Sequence, residues 1–224
     1  MARISQELID AYQTINTSTI GHLIGEGYVA GLRPIAPCQK VYAGNLVTVI
    51  LKNENTQAIR QALLNCQSGD VLCIDARVLN HRACWGALRT CIAMYHGVSA
   101  VMVLGRVTDS RAIEQLGFPV FGLGISPLTT SATLDNANNN EDNTASLYQP
   151  IHYSHEGYDI TLNNNSLVVL DNDGVFVLSS SQAMLLKNEF QSKQQQDDEK
   201  ILANKRPKID TSITGNDISS SGNN

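Results

Sequence analysis

The chain has 224 residues, 42% of them hydrophobic and 17% charged, with a formal net charge of −5; that length buries one substantial core and leaves little for a second. An acidic balance offers no broad basic surface, and 5% aromatic content offers no stacking platform, so direct nucleic-acid binding is not expected. No apolar run approaches the roughly 18–20 residues of a membrane span, and the N-terminus reads as an amphipathic helix, not a signal peptide; the chain reads as soluble and cytoplasmic.

Hydrophobic periodicity predicts a first helix over 5–14, with Leu8, Ile9 and Tyr12 on one stripe. Asn16-Thr17-Ser18 can cap a second short helix through Ile20, Leu23 and Ile24, which Gly25, Gly27 and Gly31 end. A strand at 44–51 and a helix at 56–66 follow, the helix turning Ile59, Ala62 and Leu63 inward. Next come a strand at 71–74, a helix at 85–95 and a strand at 100–104, then a short helix at 110–116 and a strand at 118–121. This alternation is that of an α/β domain.

Beyond it the character changes. Residues 134–146 are Asn-rich and short of large apolar side chains, and read as a surface loop. Antiparallel strands follow at 158–162, 167–170 and 175–178, with turns at Asn163-Asn164-Asn165 and Asn172-Asp173-Gly174. A helix is expected over 181–190. From 191 the composition cannot bury enough apolar area to order itself, so the folded unit is expected over 1–190 with a disordered tail over 191–224. In that tail Lys205-Arg206-Pro207-Lys208 fits a basic nuclear-localisation pattern, or is simply a solvated charged segment.

The cysteines, Cys38, Cys66, Cys73, Cys84 and Cys91, are odd in number and lack C-x-x-C spacing; they read as buried core thiols in a reducing compartment. His152 and His155 could share a metal but read more simply as surface residues. Asp171-Asn172-Asp173-Gly174 begins like a calcium loop yet lacks the later bidentate Glu, so it reads as a turn. No nucleophile elbow, P-loop or spaced Cys/His cluster supports a hydrolase, nucleotide triphosphatase or zinc-finger reading.

The densest information lies in 69–127. Gly69-Asp70-Val71, Trp85-Gly86, Gly105, Asp109, Leu116-Gly117-Phe118-Pro119-Val120-Phe121 and Gly124 sit in a strand–helix–strand frame. Loops leaving the carboxyl ends of such strands line a crevice. The segment resembles the RraA-like family, which holds regulators of ribonuclease E activity and metal-dependent 4-hydroxy-4-methyl-2-oxoglutarate aldolases that also decarboxylate oxaloacetate. The resemblance implies a β/β/α sandwich of the swivelling phosphohistidine-domain type, assembled as a homotrimer with sites at subunit boundaries. It implies that Asp109 ligates a divalent cation, Mg²⁺ or Mn²⁺, which polarises the keto oxygen of a small 2-keto acid. It also implies that the turn at Gly86, Ala87, Leu88 and Arg89 receives the substrate carboxylate at a helix N-terminus.

Two positions depart from the family pattern. Thr108 stands where the family has the Arg of an Arg-Asp pair, and Ala87 where it has an acidic residue that orients metal-bound water. Upstream, Arg77 and Val78 replace glycines, and His22 replaces a common Asp. Arg106, two residues before Thr108 and on the same side of a continuing strand, is a candidate for the missing catalytic charge; Arg89, Arg77, His81 and Arg82 are others. Arg106 and Arg89 read more simply as surface or intersubunit residues. Asp109 itself reads either as metal ligand or as N-cap of the helix that follows. The functional expectation is therefore a metal-dependent lyase with a degenerate site, or a non-catalytic protein that binds a protein partner.

Overall fold

The structure, a computed structural model, describes residues 3–130 and 145–205. In chain order the elements are α1 (Gln6–Tyr12), α2 (Thr17–Leu23), β1 (Arg33–Pro34), β2 (Tyr42–Ile50), α3 (Gln57–Asn65), β3 (Asp70–Asp75) and a 3-10 turn (Arg77–Leu79). Then follow β4 (Ala83–Trp85), α4 (Ala87–Tyr95), β5 (Ala100–Val107), α5 (Ser110–Leu116), β6 (Val120–Ile125), β7 (Ser146–Leu147), β8 (Ile151–His155), β9 (Tyr158–Leu162), β10 (Leu167–Leu170), β11 (Val175–Leu178) and α6 (Ser180–Lys205).

Among the described residues one mixed sheet of nine strands runs in the order β1-β6-β5-β3-β2-β10-β11, with β4 on β5 and β7 on β2. Its centre, β2, β3, β5 and β6, is parallel. The margins are antiparallel. Both faces of the centre are covered, which is why these strands read as near-continuous apolar runs. Leu72, Ile74, Val101 and Val103 pack with Ile59, Leu63, Ala93 and Ile113 of the helices. Val71, Cys73, Met102 and Leu104 pack on the other face with Ile151, Tyr153 and Leu162 of a separate β8–β9 hairpin. The arrangement is mixed α/β.

A third cluster closes the β10–β11 end. Tyr12, Ile15 and Ile20 meet Leu167, Val169, Phe176 and Phe190. Here the tail expectation fails: α6 continues through 26 residues to Lys205. Ser179 and Gln182 form a reciprocal capping box at its start. Phe190 is fully buried and Gln194 nearly so. The Gln194 side-chain oxygen accepts from the Asn16 amide at 3.0 Å and the Thr19 hydroxyl at 2.6 Å, docking the helix past residue 190. A polar composition hid these two anchors. Residues 206–224, with most of the basic motif, lie outside the described residues, as does 134–144 of the Asn-rich stretch.

Other departures are local. Trp85 ends β4, a three-residue strand not expected, and the helix read from 85 begins at Ala87. The segment holding His152 and His155 is strand β8, so the strand at 158–162 pairs with it and not with 167–170. The strand read at 118–121 starts at Val120 and runs on to Ile125. The side chain of Asn16 does not cap α2; Asp171, from the β10–β11 turn, accepts from both the Thr17 amide and the Thr17 hydroxyl. Of the free cysteines, Cys73 and Cys84 are buried, Cys38 and Cys66 half-buried and Cys91 exposed, so Cys91 is not the core thiol expected.

Two measurements check this account. Phe190→Ala should cost about 3–5 kcal/mol by urea or thermal denaturation, since it empties a packed site, and Gln194→Ala about 1–3 kcal/mol by orphaning two donors. A stability unchanged in both variants would mean that α6 does not dock. Burial pushes Cys38 up to about 11 and Cys66 and Cys84 up to about 12, and Cys73 further still. A thiol reagent at pH 8 should therefore label Cys91 rapidly and the other four only after unfolding.

Candidate functional site

Two neighbouring strand ends create the site. β4 pairs in parallel with β5, Trp85 opposite Val107, and the Thr108 amide donates to the Trp85 carbonyl at 2.9 Å. The turns after both strands are thereby brought together, Gly86 beside Thr108 and Asp109. Asp109 sits in the left-handed region (φ 56°, ψ 35°), which Asp tolerates better than most residues. It holds the N-cap position of α5, but its carboxylate makes no bond to that helix. Oδ2 instead accepts the Ala87 amide at 3.0 Å, the first N–H of α4. The capping expectation is thus corrected: the left-handed turn aims Asp109 across to the neighbouring helix. Gly86 is required by this approach, because a Cβ there would lie 2.5 Å from Asp109 Oδ2 and 2.8 Å from Thr108 Cγ2.

Asp109 opens onto a cleft of about 500 Å³. One wall is α3, where helical spacing sets Gln57, Arg60 and Leu64 on a stripe. The other wall is α4, through Leu88, Arg89 and Ile92. Cys84 and Trp85 form the floor. Trp85 is fully buried, its indole N–H donating to the Thr90 hydroxyl at 2.9 Å. The buried Cys84 thiol, pushed up to about 12 by desolvation, is not a nucleophile at neutral pH. Arg89 ties the walls together, donating to the Cys84 carbonyl and, at 2.7 Å, to the Thr56 hydroxyl. Among the described residues Asp109 is the one carboxylate of the lining, against two guanidinium groups, Arg60 and Arg89.

The expected site residues divide accordingly. Gly86, Leu88, Arg89, Thr108 and Asp109 line the cleft together, and Ala87 adjoins it through its amide. Arg106 does not join them. Its Cα pairs with Gly124, whose missing side chain leaves room for the guanidinium, and Nη1 donates to the Leu123 carbonyl at 3.0 Å. Arg106 therefore lines neither this cleft nor the depression on the α5 side of Asp109. Arg77 folds back on Asp75 in a two-bond pair at 2.9 and 2.7 Å, over the Tyr153 ring. Arg82 pairs with Glu54 at 3.3 Å. His22 lies 3.9 Å from Asp197 of α6, away from the cleft lining. Arg60, Gln57 and Thr56 were not foreseen; the polar stripe of α3 was visible, but not what it faced.

Among the described residues no three His, Cys, Asp or Glu side chains gather as a metal cluster. Asp109 is exposed, and its Oδ1 is met only by the Thr108 hydroxyl at 3.4 Å. One available carboxylate oxygen suits a hard ion that keeps most of its waters, and not a closed zinc or calcium site.

Comparison with known proteins finds relatives that span most of this chain. A relative from Halalkalibacterium halodurans, named "Putative 4-hydroxy-4-methyl-2-oxoglutarate aldolase", is 25% identical over 200 residues, covering 88% of this chain and 89% of its own. An uncharacterized protein of Pseudomonas syringae pv. tomato shares the fold with a TM-score of 0.72 at 18% identity, over 92% of this chain and 96% of that one. Streptomyces coelicolor RraAS2, described as an unusual member of the RNase ES inhibitor RraA protein family, gives 0.71 at 20% identity, over 90% and 100%. Residues 6–177 match the family described as RraA-like, Aldolase/RraA, and the chain belongs to that family.

Proposed function

We propose that this chain acts on a small 2-keto acid in the cleft between α3 and α4, as an attenuated carbon–carbon lyase whose easiest reaction is oxaloacetate decarboxylation. The observation that carries this reading is Asp109, among the described residues the single carboxylate of a cleft otherwise lined by neutral and basic groups, pinned to the first amide of α4. In this reading Asp109 would hold Mg²⁺ or Mn²⁺, and the ion would supply polarisation of the keto oxygen. The chain's own contribution is binding and orientation. The Leu88 and Arg89 amides in the first turn of α4 receive the substrate carboxylate. Arg89, fixed by Thr56 and Cys84, adds positive charge behind them. Thr108 leaves the developing enolate without a guanidinium, and Ala87 leaves no carboxylate to orient the water from which the enolate carbon would take its proton, which lowers the rate. Each such loss costs roughly 10²–10³ in rate. The swivelling-domain type of β/β/α layering belongs to the same reading, supported by the hairpin and helices on opposite faces of the sheet.

A protein-binding regulator is the second reading. Leu88 of α4 and Leu64 of α3, on the cleft walls, and Tyr95, the last residue of α4, are 76%, 60% and 88% exposed, apolar surface at and around the cleft mouth that suits another protein or the copies of a homotrimer.

Pyruvate release from oxaloacetate and from 4-hydroxy-4-methyl-2-oxoglutarate, with Mg²⁺ and then with chelator, tests the first reading. Slow, chelator-sensitive release from oxaloacetate is expected; silence with both substrates rejects the lyase and leaves the regulator. Thr108→Arg should raise the rate at least about tenfold. Asp109→Asn should abolish it while leaving stability within about 1 kcal/mol, because the amide oxygen still accepts from Ala87. Asp109→Ala should lose the activity and about 1–2 kcal/mol as well, by removing the cap of α4.

A further inference from the structure

The lyase reading leaves open what gives the cleft its preference among acids, and α3 supplies an answer. Arg60 lies on the cleft wall facing α4 and is exposed. Among the described residues it has neither a hydrogen-bond nor an ion-pair partner, in contrast to Arg77, Arg82 and Arg89, which are all engaged. Asp109, the sole carboxylate of the lining among the described residues, is already bonded to the Ala87 amide. Among the described residues the lining thus holds two basic groups, Arg60 and Arg89, against one acidic group, Asp109. An exposed guanidinium on open surface would be unremarkable. This one stands on the i, i+3, i+7 stripe Gln57, Arg60, Leu64, the side of α3 turned from the packed Ile59 and Ala62 toward the opening.

We infer that Arg60 is a specificity residue: it receives the second carboxylate of the 2-oxo dicarboxylates proposed above as substrates, and so disfavours 2-oxo monocarboxylates. The inference rests on the reading of the cleft as a 2-keto-acid site. A ligand whose first carboxylate lies at the α4 turn extends its far end toward α3, and about 500 Å³ admits a chain of four to six carbons. A planar guanidinium recognises a carboxylate through two parallel N–H bonds, which an amide or hydroxyl does not reproduce. The missing arginine at position 108 would have acted at the reacting end; Arg60 acts at the other end and does not replace it.

Titration calorimetry of 2-oxoglutarate and of 2-oxobutyrate against the full chain, in the presence of Mg²⁺, tests this without requiring turnover, and quenching of the single Trp85 on the cleft floor gives a second readout. The wild type should bind the dicarboxylate about tenfold tighter. Arg60→Gln should remove that advantage while leaving 2-oxobutyrate affinity unchanged, and Arg60→Lys should restore part of it. Equal affinities in the wild type, or an Arg60→Gln variant that weakens both acids alike, would overturn the assignment while leaving the 2-keto-acid site standing. Absence of binding by either acid to the wild type would remove the site and Arg60's role with it.

Discussion

The contact between Asp109 and the Ala87 amide organises the cleft between α3 and α4. It joins the end of β5 to the start of α4 across the β4–β5 pairing, and fixes a carboxylate where a helix N-terminus already attracts negative charge. It also dictates its neighbours. Gly86 can carry no side chain because the carboxylate occupies that space, and Asp109 adopts a left-handed backbone to reach it. Without the parallel pairing of β4 on β5 the two turns would not be adjacent, and without both covered faces the central strands would not be parallel and buried.

The contact also explains how the site survives the substitutions at 87 and 108. The scaffold function of Asp109, capping α4, needs only an acceptor, and neither Ala87 nor Thr108 interferes with it. The lyase proposed above would need charge and a positioned water as well, and Thr108 and Ala87 supply neither. Scaffold and proposed chemistry are therefore separable at one residue: the fold keeps the carboxylate in place whether or not a reaction uses it. Arg89 shows the same division, since its bonds to Thr56 and Cys84 hold the cleft walls together independently of any ligand.

The far end of the molecule is built on different terms. α1, α2 and α6 close the β10–β11 margin through aromatic packing of Tyr12 against Phe190, 6.0 Å between ring centroids, and through side-chain oxygens from Asp171 and Gln194 that serve the start of α2. A helix as polar as α6 is stabilised by two buried anchors and by i, i+4 pairs such as Gln195 with Glu199, not by a continuous apolar face.

The sequence alone determined the parts governed by local patterning. The continuous apolar runs at 71–74 and 100–104 mark buried strands, the stripe of Leu8, Ile9 and Tyr12 follows a 3.6-residue period, the Asp-Gly turn before Val175 follows from turn chemistry, and the Trp85-Gly86 and Asp109 spacing pointed to the family. What only the tertiary structure decided are the contacts between residues distant in the chain. That Arg106 turns to β6 depends on a glycine eighteen positions later; that α6 is ordered past 190 depends on Asn16 and Thr19; that Arg60 faces a cleft depends on where α4 lies. Periodicity tells which face of an element is apolar, but a polar side chain is equally at home facing water, a partner or a substrate, and only the packing of distant segments chooses among them.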